Sequence, residues 1–516
     1  MAEDTQDEVI AFLGRHEGEG GGRCDHVETH GAHVFLQGDT ALKIKKAVRY
    51  DYLDFTALET RERMLRRELD LNRPGAPQIY RDVVAVTRDG DRLELDGPGA
   101  PVEWVLRMWR FPKENELSAV AARGELSDAL ADDLGRAIAD YHADAPLREG
   151  DGADRIQAII EELETAFGAM GDELGGSEAD AFITMTKAEF GRVAALLRER
   201  AAGGHLRRCH GDLHLHNLVL IDGRPVLFDA LEFDEELGTC DVLYDLAFLV
   251  MDLLNRGLGR QANIVLNAWL HTNGGRQDEG LAALPLFVAL RAGIRAMVAV
   301  QTGAGEREEV RAQARGYLET GLAALEPCEA RLVAIGGMSG SGKSTIGRRL
   351  APQIGRMPGA VHLRSDLERK SLAGVAPKDR LPESAYTAAA SDAVYDRLAA
   401  RAAAVLATGQ SVILDATFLT PVERTHARDL AAQAGVPFTG IWLDAPVEAL
   451  TRRVDAREGD ASDADASVVR KQVEKDTGPI DWQRVEASGD REIVAKAVWE
   501  RIVSAGGSSP AGSRDD

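Results

Sequence analysis

Gly337-Met338-Ser339-Gly340-Ser341-Gly342-Lys343-Ser344 lies between an apolar run, LVAIGG (332–337), and a stretch of helical character, TIGRRLAPQIG (345–355). The spacing is G-x-x-x-x-G-K-[ST] in a strand–loop–helix setting. Glycines let backbone amides wrap around phosphate groups, and the helix that follows offers its N-terminus to the same anion. In such a loop Lys343 neutralises the β- and γ-phosphates, and the Ser344 hydroxyl reaches Mg2+. The segment Gly337 to Thr345 is therefore the candidate nucleotide-binding loop, set against the plainer alternative of a flexible Gly/Ser connection.

Outward from this loop, apolar runs at 332–336, 361–363, 411–415 and 438–443 alternate with helical patterns up to about residue 503. Short buried strands with helices between them imply a parallel sheet. Asp415 closes the run SVILD (411–415), where an acid would bind Mg2+; the alternative is a strand-end aspartate capping a turn. Asp366 follows the run at 361–363, and an aspartate at the carboxyl end of a parallel strand faces the ligand crevice. Arg369 comes one helical turn later on the same side, placed to hold an anionic group. Arg452, Arg453 and Arg457 precede the polar stretch EGDASDADAS and read as part of a mobile lid.

The segments LRSDLERK (363–370), LDATFL (414–419) and RRVDAREGDASDAD (452–465) resemble the small P-loop kinases identified as AAA-type kinases. These are similar to the group of phage polynucleotide kinase, zeta-toxin and chloramphenicol phosphotransferase, and the resemblance covers about 331–480. It implies that Asp366 is the general base for an acceptor hydroxyl. It also implies that Arg369 is the arginine of a D-x-x-R motif, and that Arg453 and Arg457 are lid arginines.

A second constellation lies upstream: His210-Gly211-Asp212-Leu213-His214-Leu215-His216-Asn217. The H-x-D-x-x-x-x-N spacing provides an acid, Asp212, to orient and deprotonate an attacking hydroxyl, and an amide, Asn217, for Mg2+. Asp229, twelve residues beyond Asn217 at the end of a hairpin, would be the main metal ligand. The histidine cluster also invites a transition-metal reading, although no cysteine pair or H-E-x-x-H helix accompanies it. The loop, with FDALEFDEELGTCDVLYDLAFLVMDL (228–253), resembles the aminoglycoside/choline-kinase-like phosphotransferases. That resemblance implies that Asp245 braces the catalytic loop, while Cys240-Asp241-Val242 departs from the usual G-D-P. Glu232 is open between a metal or substrate contact and a solvated side chain.

The resemblance also calls for an ATP-anchoring lysine on the third strand. ALKIKK (41–46) offers Lys43 and Lys45 on one face, because strand side chains alternate. The family pattern favours Lys43, with Glu68 as its partner on the next helix and Glu59 in reserve. THGAHVFL (29–36) stands where a glycine-rich loop would cover the phosphates. EWVLRMWRF (103–111) is the expected hinge against which adenine would rest.

The chain of 516 residues thus reads as two modules. The expected fold is an α+β, protein-kinase-like bilobal domain over 1–326, with its small lobe about 1–108, then an α/β P-loop domain over 331–503 with a parallel sheet. A disordered tail is expected over 504–516. The composition, 44% hydrophobic and 28% charged, suits a well-cored protein. No membrane span is expected, and the acidic start MAEDTQDEVI is unlike a signal peptide, so the cytoplasm is the default. Four scattered cysteines imply neither a disulfide framework nor a zinc site. A formal charge of −23 disfavours long nucleic acid as a partner. The expectation is a pair of ATP- and Mg2+-dependent phosphotransferases acting on small-molecule hydroxyls. The rivals are a nucleotide-controlled regulator and a 5′-hydroxyl nucleic-acid kinase.

Overall fold

The computed structural model describes residues 2–15, 24–50, 53–303, 307–456 and 461–505. It divides into two compact units, one of residues 1–155 with 198–252 and one of residues 156–197 with 253–516.

The first unit carries a six-stranded antiparallel sheet in the order Asp25–Glu28, Ala32–Gln37, Thr40–Lys45, Ala100–Trp109, Tyr80–Asp89, Arg92–Leu95. Alternation along Thr40–Lys45 decides what the sheet presents. Leu42 and Ile44 enter a core with Phe35, Val84, Val86 and Val105, so Lys43 and Lys45 emerge on the opposite face. Helix Ala2–Arg15, which the sequence reading did not anticipate, closes that core with Val9 and Leu13. Beyond the sheet, strands Leu218–Ile221 and Arg224–Leu227 form the expected hairpin. Its turn residues, Asp222 and Gly223, have φ of 51° and 74°, as a two-residue type I′ turn requires.

The second unit contains a five-stranded parallel sheet in the order Val361–Arg364, Val412–Asp415, Leu332–Gly336, Phe438–Asp444, Gln483–Glu486. Every residue of the central strand Leu332–Gly336 is buried, as a strand covered on both faces must be. The edge strand Gln483–Glu486 escaped the sequence reading because QRVE buries only Val485. Local chemistry fixes the helix ends. Thr420 and Glu423 form a capping box, Pro421 opens helix Pro421–Ala434, and Gly435 ends it at φ 68°. From residue 506 onward the expected disordered tail falls outside the described residues.

Helical residues of 156–197 and 253–325 also belong to this second unit. Gly293 and Gly321 make room for Phe182: a Cβ would stand 3.0 Å from its ring at the first and 2.6 Å at the second. One stretch, Glu279–Thr302, is long and apolar enough by composition to cross a membrane, contrary to the sequence expectation of no such run. Of its most apolar window, 72% is buried against the rest of the protein, which is the situation of a core helix.

Candidate active sites

In the first unit a chain of buried and half-buried ion pairs joins the sheet to the segment that follows the hairpin. Lys43 Nζ lies 2.7 Å from both Glu68 Oε1 and Asp229 Oδ1. Lys45 Nζ lies 2.6 Å from both Glu68 Oε2 and Glu232 Oε1. Glu68 is fully buried and serves both lysines, which share a strand face, whereas Glu59 is exposed at the start of the same helix. The two lysines part at their other ends: Lys43 reaches Asp229 and Lys45 reaches Glu232. Glu232 is therefore a buried partner of Lys45 and not a solvated side chain. Burial by itself would lower the Lys43 pKa, but the charges of Asp229 and Glu68 reverse this and hold it well above the ordinary lysine value.

The loop bearing Asp212 is held from several sides. Asp245 accepts from the backbone N–H groups of His210 and Gly211, at 3.1 and 2.8 Å. Its Oδ2 lies 3.1 Å from His142 Nε2. Asp252 accepts from Leu215 N at 3.0 Å. Asn217 Nδ2 donates to Asp212 Oδ2 at 2.8 Å, so the expected base and the expected amide ligand meet. Burial opposes ionisation of Asp212, yet His214 and the Asn217 amide hold its carboxyl well below the usual range. Asp229 sits at φ 59°, a strained backbone for a non-glycine residue, and is supported by a bond from its N–H to Tyr80 Oη. Asn72 Oδ1 accepts from the next amide, Ala230 N.

His142, Tyr80, Asn72 and Asp252 were not singled out from the sequence. Each acts on a residue far along the chain, and no local pattern marks it. Among the described residues, His142, Cys209 and Asp245 place their ligand atoms within 4.8 Å of one another. Asp245 already accepts two backbone bonds, and burial pushes the Cys209 thiol up, so this group suits bracing rather than a metal. His214 lies 3.4 Å from Asp212, and His210 Nε2 bonds the Phe228 carbonyl. Cys240 and Asp241, where the chain departs from G-D-P, pair with strand Leu206–Arg208, and Arg200 clamps Asp241 with two 2.7 Å bonds. A cavity of about 230 Å3 opens beside the expected hinge, lined by Ile79, Trp109, Phe111 and Leu220 among others.

In the second unit the loop Gly337–Ser344 leaves strand Leu332–Gly336 and enters helix Lys343–Leu350. Gly337, Gly340 and Gly342 have φ of 138°, 85° and 93°. A Cβ at Gly337 would stand 2.5 Å from Leu443 O, and one at Gly340 would stand 2.6 Å from Leu450 O, so both positions demand glycine. Met338 packs against Leu450, Val454 and Val469. Lys343 Nζ curls back onto the Gly337 and Met338 carbonyls, at 2.9 and 3.1 Å. Gln472, which the sequence reading missed, bonds Ser339 twice: it accepts from Ser339 N at 2.8 Å and donates to Ser339 Oγ at 3.0 Å. Ser344 and Thr345 occupy the first turn of the helix, with Thr345 exposed.

Parallel register brings the acids to the same edge. Asp415 pairs with Ile335 on one side and Arg364 on the other, two residues short of Gly337. Its Oδ2 lies 3.3 Å from His362 Nε2 without a directed hydrogen bond, and so remains a buried acceptor without a partner. Burial works against the Asp415 carboxylate, but the neighbouring His362 and Arg364 bring its pKa to about 2. Asp366 differs: burial dominates and raises its pKa above the ordinary aspartate value. Arg369 stands on the Asp366 helix, but its guanidinium is engaged by the segment beyond, donating to Ala385 O at 2.7 Å and lying over the Tyr386 ring. Arg453 reaches the loop, with Nη1 3.5 Å from Gly340 O and Nη2 3.1 Å from Ser488 O. Arg457 lies outside the described residues. Thr345, Arg453, Arg491 and Val494 help to line a cavity of about 310 Å3 beside the loop.

Both sites offer donor sets that fit a nucleotide and a divalent cation. The phosphate loop is a cradle that a Cβ would fill, and Asp415 Oδ2 is an unpartnered oxygen at its edge. Asp229 and Asn217 provide oxygen ligands of the kind Mg2+ takes.

Comparison with known proteins gives a separate family match in each half of the chain. The model of the Phosphotransferase enzyme family (APH) matches residues 49–284, and the model of an AAA domain matches residues 332–479. Uncharacterized protein Rv2004c of Mycobacterium tuberculosis is 31% identical over 480 residues, covering 90% of this chain and 92% of its own. An uncharacterized protein of Mycobacterium bovis matches to the same extent. Among solved structures, a choline/ethanolamine kinase family protein from Mesorhizobium loti aligns with 62% of this chain and 99% of its own, at 15% identity and a TM-score of 0.36. The Mycobacterium tuberculosis APS kinase CysC aligns with 34% of this chain and 99% of its own, at 22% identity and a TM-score of 0.26. The chain belongs to one family with these mycobacterial proteins, matches the phosphotransferase family over 49–284 and an AAA domain over 332–479, and is an ATP-dependent kinase.

Proposed function

We propose that the chain carries two phosphoryl-transfer sites, each moving the γ-phosphate of ATP to a hydroxyl of a small molecule. The observation that carries this reading is the duplication itself. In each unit an acid that would take the acceptor proton accompanies a separate set of groups suited to phosphate and metal: Asp212 with Lys43, Asn217 and Asp229, and Asp366 with the phosphate loop and Asp415.

In the first site Lys43, held by Glu68, would meet the ATP phosphates, and Asp229 and Asn217 would hold Mg2+. Asp212 would accept the acceptor's proton. In the second site the loop amides and Lys343 would cradle the phosphates, Ser344 and Asp415 would hold Mg2+, and Arg453 would approach the transferred group. The cavity beside Thr345 and Arg491 has room for the base. Mg2+ held by these residues would supply positive charge against that developing on the transferred phosphate. The protein's own part is to position the reactants and stabilise that charge. Burial raises the Asp366 pKa above that of an ordinary aspartate, which suits proton transfer nearer neutrality.

The test is transfer of labelled phosphate from ATP to a panel of small alcohols, sugars and oligonucleotides by the full chain and by its Asp212→Asn and Lys343→Ala variants. Two distinct transfers, each lost in one variant, are expected. Unaltered turnover in both variants would favour the regulatory reading, and transfer confined to oligonucleotides would favour the nucleic-acid kinase.

A further inference from the structure

Strand Val361–Arg364 is the outermost strand of the parallel sheet, bonded on one side to Val412–Asp415. An outer strand leaves a row of backbone groups to satisfy on its other side. Here helix Gly259–Thr272 supplies them. His362 N donates to Asn267 Oδ1 at 2.7 Å, and Ala360 O accepts from Asn263 Nδ2 at 3.1 Å and Asn267 Nδ2 at 3.3 Å. Asn263, Asn267 and His271 recur every four residues and therefore share one helix face.

The helix that follows this strand, Ser365–Leu372, is tied to the same region. Glu368 is 1% exposed, and its oxygens lie 2.7 Å from Arg397 Nε and 2.6 Å from Arg401 Nη1. Arg401 is clamped by Asp278 through two 2.8 Å bonds, Arg397 donates to the Gly274 carbonyl, and His271 Nδ1 stands 3.9 Å from Glu368. Gly275, at φ 86°, lets the Arg401 side chain approach: a Cβ there would sit 3.1 Å from Arg401 Nε. Two acids and two arginines balance in this buried group. Removing one carboxylate leaves an uncompensated charge.

We infer that Asn263, Asn267, His271 and Asp278 are positioning residues for the acceptor side of the phosphate-loop site. They act through the strand Val361–Arg364 and the helix Ser365–Leu372 that present Asp366 and Arg369. All four fall within the residues matched by the upstream phosphotransferase model, 49–284, although their partners lie in or beside the downstream domain. The sequence-family boundary therefore passes through a working wall of the second site. This inference rests on the reading that Asp366 and Arg369 serve the acceptor.

The test uses the full chain in an Asp212→Asn background, so that remaining Mg-ATP turnover belongs to the phosphate-loop site. Asn267→Ala and, separately, Asp278→Asn are compared with that parent. Amide hydrogen exchange is read over 360–372 and 337–350, together with kcat and KM for ATP hydrolysis. Expected is faster exchange by about tenfold or more confined to 360–372. With it, kcat falls while KM for ATP stays within about twofold. Exchange unchanged over 360–372, or raised equally over 337–350, would overturn the inference, as would a loss seen only in KM. A Lys343→Ala control separates the two claims: if it leaves hydrolysis intact, the functional reading of the loop fails, and the exchange data still decide the positioning claim. Should Asp278→Asn fold poorly, Asn267→Ala, which changes no charge, carries the test.

Discussion

The two candidate sites would meet phosphate charge in opposite ways. In the first unit the cations are side chains brought from afar: Lys43 meets Asp229 across 186 positions of sequence. In the second unit the cradle is a run of eight neighbouring residues, and Lys343 rests on carbonyls five and six positions away. The acids differ in the same sense. Asp212 is held ionised by His214 and Asn217 against its burial, whereas burial wins at Asp366. A site assembled from distant charged groups depends on every link of its ion chain. One made of backbone amides depends instead on glycine conformations and on whatever holds its acceptor wall.

The largest expected effect separates the sites outright. Lys343→Ala should lower phosphate-loop transfer by about 10²–10³-fold and leave the Asp212 site within about twofold, with Asp212→Asn doing the reverse. Labelled-phosphate assays read both, and equal losses in both transfers would collapse the comparison into a single site.

Next comes stability. Glu68→Ala removes the carboxylate that Lys43 and Lys45 share, leaving each with one acid, and should cost about 1–3 kcal/mol in the first unit, read as a lowered denaturation midpoint by tryptophan fluorescence. An unchanged midpoint would mean that the ion chain is not under the strain its burial implies.

A pH profile should then sharpen the contrast. Asp366 has a folded pKa above the 3.8 of a free aspartate. Its neutral form is the one the fold favours, so its contribution to stability is present in acid and is lost as pH rises through the raised value. As a base it must be ionised. Transfer at the phosphate loop should therefore fade first as pH drops from neutrality. Asp212, with a lowered pKa, stays ionised to lower pH, and its contribution to stability is lost only as pH falls through that lowered value. Rate profiles of the two site-silenced variants check the order, and coincident acid limbs would contradict it.

The smallest effect is expected at Glu59, exposed at the start of the helix that buries Glu68. Glu59→Gln should shift stability by no more than about 0.5 kcal/mol and leave ATP turnover unchanged. A large loss would move the lysine's partner to that position.

Much of this was legible before the fold. The Gly337–Ser344 loop, the strands expected at 332–336, 361–363, 411–415 and 438–443 and found at Leu332–Gly336, Val361–Arg364, Val412–Asp415 and Phe438–Asp444, and the Asp212–Asn217 loop are all local patterns marked by spacing. Other features were not legible. The polar strand Gln483–Glu486 and helix Ala2–Arg15 gain their places only from the cores they close. Glu232 stayed open between a metal or substrate contact and a solvated side chain because a single glutamate carries no mark of the lysine it will meet. The fork of Arg369 read as open to a ligand, yet folding brings Ala385 and Tyr386 against it.

By itself, then, the sequence determined two motifs that resemble those of phosphotransferases, the acids within them and the glycines that shape the Gly337–Ser344 loop. These depend on residues within a few turns of one another, where backbone geometry is set by spacing. The tertiary structure decided which lysine holds which acid, how burial sets Asp212 and Asp366 apart, and that helix Gly259–Thr272 bonds to the outer strand Val361–Arg364 and the residue before it. Those outcomes depend on distant side chains meeting in a low-dielectric interior, and no local pattern encodes such a meeting.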